Sequence, residues 1–269
     1  MSSFWNRYVE LEIGDIVIRN SDLDIYFKVE NSTGEEAGSA EITIFNLAEA
    51  TRQKFKPGEQ VILKAGYQGD YGIIFSGTIK EVEDEYQGAD VATIIYAQDD
   101  TSQLLKTEIN LRYPAGTTLE NIAKSLFKHA NIPVGRVEST GLSLASTWVT
   151  GKRTVADALK YLVGEIKAIS GKKFNFYVKN GAGYFVEENT RYEEAFVLSA
   201  ETGLMEVQKI GKEDGEADYR IRTLMLWKIT QDSLLDLDSI KAKGLFRVVS
   251  YRKIARGEEY YCEVEVKAV

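Results

Sequence analysis

Val61-Ile-Leu-Lys-Ala-Gly-Tyr-Gln-Gly-Asp-Tyr-Gly-Ile-Ile-Phe-Ser-Gly-Thr-Ile79 decides the fold class of this chain. Val61, Leu63, Ala65 and Tyr67 recur every second residue, and after the Gln68-Gly69-Asp70 turn Ile73, Phe75, Gly77 and Ile79 do the same. A period of two puts each set on one buried face of a β-strand. The pattern extends outward in both directions. Upstream, Val9, Leu11 and Ile13, then Ile25, Phe27 and Val29, then Ala40, Ile42 and Ile44 alternate with polar residues. Asn31-Ser-Thr-Gly34 and Pro57-Gly58 punctuate these strands upstream and Gln87-Gly88-Ala89-Asp90 downstream, and Val91 to Ala97 follows the last of these turns. Short strands at this spacing predict a sandwich or barrel over residues 1–100. One helix is expected inside it, from Leu47 to Lys56, with Asn46 as its cap and Pro57-Gly58 as its stop.

From Leu119 the period changes. Ile122, Ala123, Leu126, Phe127 and Ala130 form one helical stripe, with Thr117 and Glu120 as a capping box and Asn131 and Pro133 as the stop. Val155, Ala158, Leu159, Leu162, Val163 and Ile166 repeat the offsets behind Thr154. A hairpin follows, Phe174–Val178 and Tyr184–Glu187 around Asn180-Gly-Ala-Gly183. Residues 101–195 therefore read as a small α+β unit. Residues 196–269 return to strands, ending in the alternation of Tyr260, Cys262, Val264, Val266 and Ala268. The polar, acidic segment Gly211–Asp218 is expected to be a mobile loop. The order short strand, turn, long run, turn, strand occurs twice, once in Val61–Ala97 and once in Leu235–Ala268. Either one β-fold is duplicated or the same alternation arose twice.

The 269 residues carry 33 Lys plus Arg against 41 Asp plus Glu, a net charge of −8. Nucleic-acid surfaces need clustered cations, so specific nucleic-acid binding is not expected. One cysteine, Cys262, excludes an internal disulfide framework and a multi-Cys zinc site. Its parity with Val264 marks it as a small buried hydrophobe. One histidine, His129, falls outside the apolar stripe near a helix C-terminus and reads as a surface residue. The carboxylates Glu81, Glu83, Asp84 and Glu85 are expected at a hairpin tip, and Asp99, Asp100, Asp232, Asp236 and Asp238 follow or flank strands. A solvated face explains them better than a glycosidase pair. Gly181-Ala-Gly183 lies in a β-turn rather than before a helix, which fails the context for a phosphate-binding loop. The N-terminus lacks a signal-type apolar core, and runs such as Ile94–Ala97 fall far short of the ~20 residues that cross a bilayer. No residue is assigned a catalytic, cofactor-binding or metal-binding role. The chemistry points to a structural or binding protein, not an enzyme, with no cofactor and no membrane insertion of its own.

Three stretches carry a resemblance. Gly38-Ser-Ala-Glu-Ile-Thr-Ile-Phe-Asn-Leu47 runs through Thr51-Arg52 and Lys56-Pro-Gly-Glu-Gln-Val-Ile-Leu63 to Ala65-Gly-Tyr67 and Ile74-Phe-Ser-Gly-Thr-Ile79. It resembles the tube-like domain of the central baseplate hub proteins of phage tails and contractile injection systems. Thr117–Leu126 with Asn131-Ile-Pro-Val134 is similar to the hub's middle region, and Gly244-Leu-Phe-Arg-Val-Val-Ser250 with the closing strand to its second tube-like domain. The chain departs from the pattern in lacking a Pro-Gly turn before Leu234–Ser239 and a fused lysozyme domain. The resemblance implies two tube-like barrels, 1–100 and 196–269, flanking 101–195. It implies a homotrimer adapting a six-fold tail tube to a three-fold spike in a tail baseplate, assembled in a bacterial cytoplasm, with tube, spike and other baseplate proteins as partners. Other tail-tip or secretion-spike base proteins, and a β-sandwich polysaccharide-active or carbohydrate-binding protein, are the alternatives.

Overall fold

The structure, a computed structural model, describes residues 6–32, 38–99, 104–179, 181–187, 195–210 and 217–269. They form two compact units, one built from the described residues up to 99 and from 195 onward, the other from 104–187. The architecture is mainly β with a helix-containing insert, as the periodicity predicts.

The first unit opens with β1 (Arg7–Ile13), β2 (Ile16–Arg19), β3 (Ile25–Ser32) and β4 (Ser39–Phe45). After the short helix α1 (Glu49–Arg52) come β5 (Gln60–Tyr67), β6 (Asp70–Gln87) and β7 (Asp90–Gln98). The second unit holds β8 (Glu108–Ile109), β9 (Arg112–Tyr113), α2 (Leu119–His129), β10 (Val134–Val137), β11 (Trp148–Val149), β12 (Arg153–Thr154), α3 (Val155–Ser170), β13 (Phe174–Lys179) and β14 (Ala182–Glu187). The chain then returns to the first unit with β15 (Phe196–Leu198), β16 (Leu204–Lys209), β17 (Tyr219–Leu224), β18 (Leu234–Asp238), β19 (Lys243–Arg256) and β20 (Glu259–Ala268).

The thirteen strands of the first unit make one sheet, ordered β16-β17-β20-β19-β3-β4-β7-β6-β5-β1-β2, with β18 on β19 and β15 on β18. All pairs are antiparallel except β15–β18. Two cores lie on it. One gathers Leu11, Ile42, Ile44, Leu63, Ile79 and Ile95; the other gathers Leu198, Ile221, Leu235, Val248, Cys262 and Val264. Each such aliphatic side chain, fully withdrawn from water, contributes about 1.5–3 kcal/mol.

The two strand-rich halves are built alike. The β6–β7 and β19–β20 hairpins turn through two residues, Gly88-Ala89 and Gly257-Glu258, each with its glycine at positive φ (67° and 55°). Each hairpin skips one residue of its long strand, Lys80 or Val249, eight positions before that glycine. Where the halves meet, β19 pairs with β3 through Arg252 opposite Glu30, Lys253 opposite Val29 and Ala255 opposite Phe27.

Several local expectations need correction. The helix after β4 spans only Glu49–Arg52, with Ala48 at its N-cap. Asn46 is not a cap: at φ 57° its side chain accepts from Val91 N (3.0 Å) and donates to Asp90 Oδ1 (3.0 Å), adding a rung beside the hairpin. Leu47 and Phe55 are both buried in the first core, so the segment follows the core instead of a helical cylinder. A register shift at Leu63/Lys64 moves β6 out of phase, which exposes Ile73 and buries Ile74 beside Phe75. Glu81, Glu83, Asp84 and Glu85 lie along β6 and not at its tip.

In the second unit the helical stripes are as read. Ile122, Leu126, Phe127, Leu159, Leu162 and Ile166 are buried together with Phe174 and Phe185. Thr154 and Asp157 form the capping box of α3, and Gly171 ends it in the left-handed region. At α2 the expected box is absent: Thr118 is the N-cap, Thr117 Oγ1 donates to Pro114 O, and Glu120 accepts from Thr140. Asn131, at φ 56°, breaks α2 as predicted. The predicted hairpin is β13–β14, joined in parallel by β10. Gly183 is required there, since a Cβ would stand 2.5 Å from the Phe127 ring.

Candidate assembly surfaces

Two glycines, Gly66 and Gly72, have a visible physical duty. Gly66, at φ 146°, opens the β1–β5 ladder opposite Tyr8. The Tyr260 hydroxyl from β20 enters there: it accepts from Gly66 N (2.9 Å) and lies 2.6 Å from Gly66 O and 2.9 Å from Tyr8 O. Burial drives its pKa above the ordinary phenol range. Arg7 closes the seat from outside, donating to Gly257 O (2.7 Å) and Glu258 O (2.6 Å). Trp227 packs on Gly72, where a Cβ would come within 2.3 Å of the ring, and donates from Nε1 to Asp70 Oδ1 (2.7 Å). The last third of the chain is thus keyed into the first by Tyr260 and Trp227.

Lys253, on β19, is fully buried at the same junction, with Nζ donating to Trp227 O (2.9 Å). Its sequence neighbourhood gives no hint of burial beyond sharing strand parity with Ala255.

One face of the sheet is charged along a single cross-strand row. Glu206, Arg222, Glu263, Arg252 and Glu30 stand opposite one another on β16, β17, β20, β19 and β3, and Ser39, Gln98, Thr78 and Gln60 continue the row to β5. Arg222 lies 3.9 Å from Glu206 and 3.5 Å from Glu263; Arg252 bridges Glu263 (3.6 Å) and Glu30. Toward β6 the same face turns acidic. Glu41, Glu81, Glu83 and Glu85 surround Tyr96, whose hydroxyl is pushed up by burial first and by these carboxylates second. At the far end of the sheet, Glu10 is nearly buried among Tyr8 (2.7 Å), Arg19 (2.7 Å) and Lys64 (2.9 Å). The Tyr8 hydrogen bond, with Lys64 and Arg19, lowers its pKa to about 2 against the cost of burial. Sequence reading missed this cluster, because Glu10 between Val9 and Leu11 reads as the solvent-facing position of an alternating strand.

In the large sheet, besides the short strands β2 and β15 that each pair on one side only, two stretches of strand edge have no ladder partner among the described residues. One is β16, which pairs only with β17; the other is β6 beyond Ile79, on the side away from β7. Beside β16 lies a groove of about 370 Å³, lined by Leu204, Met205, Val207, Asp238, Ile240 and Lys241. Met205 and Ile240 are exposed there, as is Tyr86 near the β6–β7 tip.

The structure does not gather the sequence-level chemistry candidates into one site. His129 is exposed in the last turn of α2. Cys262 is fully buried, and burial pushes its thiol up to about 11, where it is unreactive. Asp84 binds Arg52 (2.9 Å) and Thr93 (2.8 Å), Asp232 binds Arg247 (2.8 Å), and Asp238 binds Lys243 (2.7 Å). Asp236 is exposed on β18. Asp100 and residues 211–216 of the acidic loop lie outside the described residues. Among the described residues no group of three or more His, Cys, Asp or Glu could hold a metal ion, and no helix is long and apolar enough to cross a membrane.

The fold is shared with tail and secretion proteins. The 43 kDa tail protein of prophage MuSo2 from Shewanella oneidensis aligns with a TM-score of 0.70 at 9% identity, over 98% of this chain and 97% of that one. A tail protein from Neisseria meningitidis MC58 gives 0.69 at 10% identity, over 98% and 97%. A component of the E. coli type VI secretion system, structurally similar to the T4 bacteriophage tail proteins gp27 and gp5, gives 0.62 at 10% identity, over 96% and 76%. No curated protein matches the sequence. Residues 27–210 match the sequence profile of one family, spanning all of the second unit and about half of the first, and the chain belongs to that YQBQ-like family.

Proposed function

We propose that this chain is a structural hub of a phage tail or phage-like injection particle, and that three copies form a ring joining a six-fold tube to a three-fold spike. The observation that carries this reading is the internal equivalence of the two halves. The β6–β7 and β19–β20 hairpins share loop length, turn glycine and the position of the skipped residue, on one continuous ladder. Three chains then present six similar barrel-like halves, 1–100 and 196–269 of each, to a six-fold partner, and three middle units, 101–195, to a three-fold one. Closed rotational symmetry uses the same contact at every joint. The place of action is the tail baseplate, after assembly in a bacterial cytoplasm, with tube, spike and neighbouring baseplate proteins as partners. The type VI secretion likeness supports a second reading in the same class, the base of a secretion spike.

The acidic part of the charged face, Glu41, Glu81, Glu83 and Glu85, is proposed to line the ring's lumen. A negative wall repels nucleic-acid phosphates and keeps passing DNA from sticking. Native mass measurement of the full chain tests the ring: a particle of three 30.2 kDa chains is expected. A monomer at every concentration, alone and with tube and spike partners, refutes it. A map of the assembled ring with a basic lumen refutes the charge assignment.

A further inference from the structure

The junction inside the chain specifies the junction between chains. Aligning the two hairpins by their turn glycines, Gly88 with Gly257, carries Asp84 onto Lys253, Glu85 onto Ile254 and Tyr86 onto Ala255. The ladders continue the match on the other side. Ala97 falls on Val266, their partners Ala40 and Tyr219 fall together, and the partners of those, Val29 and Lys209, fall together in turn. By the same steps Lys28 matches Gln208 and Phe27 matches Val207. So β6 corresponds to β19, and β16 corresponds to β3. Within the chain, β19 and β3 are joined. Their counterparts are open among the described residues: β16 is the terminal strand at one end of the sheet, and β6 has no ladder partner beyond Ile79 on the side away from β7.

We infer that the β6 edge of one copy pairs antiparallel with the β16 edge of the next, in the register of the internal seam: Asp84 opposite Lys209, Glu85 opposite Gln208, Tyr86 opposite Val207. The chemistry of the two edges fits. Asp84, held by Arg52 and Thr93, meets the exposed Lys209. Tyr86, 73% exposed in the single chain, comes against buried Val207 and the apolar groove that presents Met205 and Ile240. In the seam already formed, the β19–β20 hairpin likewise lodges an aromatic residue, Tyr260, in the half that carries β3. Edge pairing satisfies the backbone groups of both strands and removes two templates for aggregation. The contact is head-to-tail, so it propagates until the rotation closes. This inference rests on the ring reading above for the number of copies, and it adds which strands meet and in which register.

Paired cysteines in the full chain test it. Cys262 is buried and stays out of the reaction. Asp84→Cys with Lys209→Cys, and separately Glu85→Cys with Gln208→Cys, are oxidised in air at high protein concentration. Each pair is expected to give disulfide-linked dimers and trimers, with the ladder stopping at three. Glu83→Cys with Gln208→Cys is the register control. A two-residue offset separates its Cα atoms by about 8 Å, past the reach of a disulfide, so its yield is expected at least about tenfold lower. The second matched pair leaves Asp84 intact, so a folding defect from losing the Arg52 contact does not hide the result. A trimer by mass in which neither matched pair links, or in which the offset pair links as well, overturns the assigned edge and register while the ring stands. Absence of both links and trimer overturns both.

Discussion

Tyr260→Phe isolates the contact that keys the last third of the chain into the first. The substitution keeps the ring, its edge-on contact with Tyr67 and its buried area, and removes one oxygen. That oxygen accepts from Gly66 N and donates toward Gly66 O or Tyr8 O. Its loss leaves one donor and one acceptor unpaired at a site where Tyr260 is only 6% exposed. A buried polar group stripped of its partner costs about 1–3 kcal/mol. Partial healing of the β1–β5 ladder offsets some of the loss, which puts the net effect at about 2–3 kcal/mol. With a urea dependence near 3 kcal/mol/M, the midpoint of the first unit drops by roughly 0.7–1 M. Tryptophan fluorescence reads the two units separately once Trp5 is replaced by Phe throughout and Trp148 and Trp227 are replaced in turn, because Trp227 belongs to the first and Trp148 to the second. The Trp227 transition is expected to move and the Trp148 transition to stay. A shift below about 0.2 M, or equal shifts in both transitions, would refute the role assigned to the hydroxyl.

Three further outcomes follow from the structure. Gly72→Ala places a methyl 2.3 Å from the Trp227 ring, so the indole must move and lose Asp70; stability of the first unit is expected to fall by about 1–3 kcal/mol with a changed Trp227 emission, and an unchanged spectrum speaks against the seat. Glu10 has its folded pKa lowered, so its stabilisation is complete above the unfolded value of 4.5 and fades as pH falls toward about 2; the stability gap between wild type and Glu10→Gln should narrow over that window in acid titrations, and a constant gap contradicts the ion cluster. Thr154→Ala removes the capping box of α3 and should cost the second unit about 1 kcal/mol by its Trp148 transition, leaving the first unit untouched.

Local periodicity determined much of this protein. Alternation placed Leu11, Ile42, Leu63 and Val264 in cores, the 3.6-residue stripe placed Leu126 and Leu159 between helix and sheet, and Thr154 announced its helix, because each of these preferences is written within a few residues. Where the local signal failed, a distant partner had taken over. Asn46 serves the turn before Val91 instead of capping a helix, Glu120 holds Thr140 instead of a capping box, and a register shift against β5 reverses the phase at Ile73 and Ile74. The echo between Val61–Ala97 and Leu235–Ala268 was visible as a pattern, but only the ladders show that Lys80 and Val249 are equivalent skipped residues. Tertiary structure alone decided the seam and the open edges. Arg252 and Glu30 are 222 positions apart, and Tyr260 and Gly66 are 194 apart. Period two fixes which face a side chain takes; it carries no information about which strand lies alongside, since any extended neighbour can complete the same backbone hydrogen bonds.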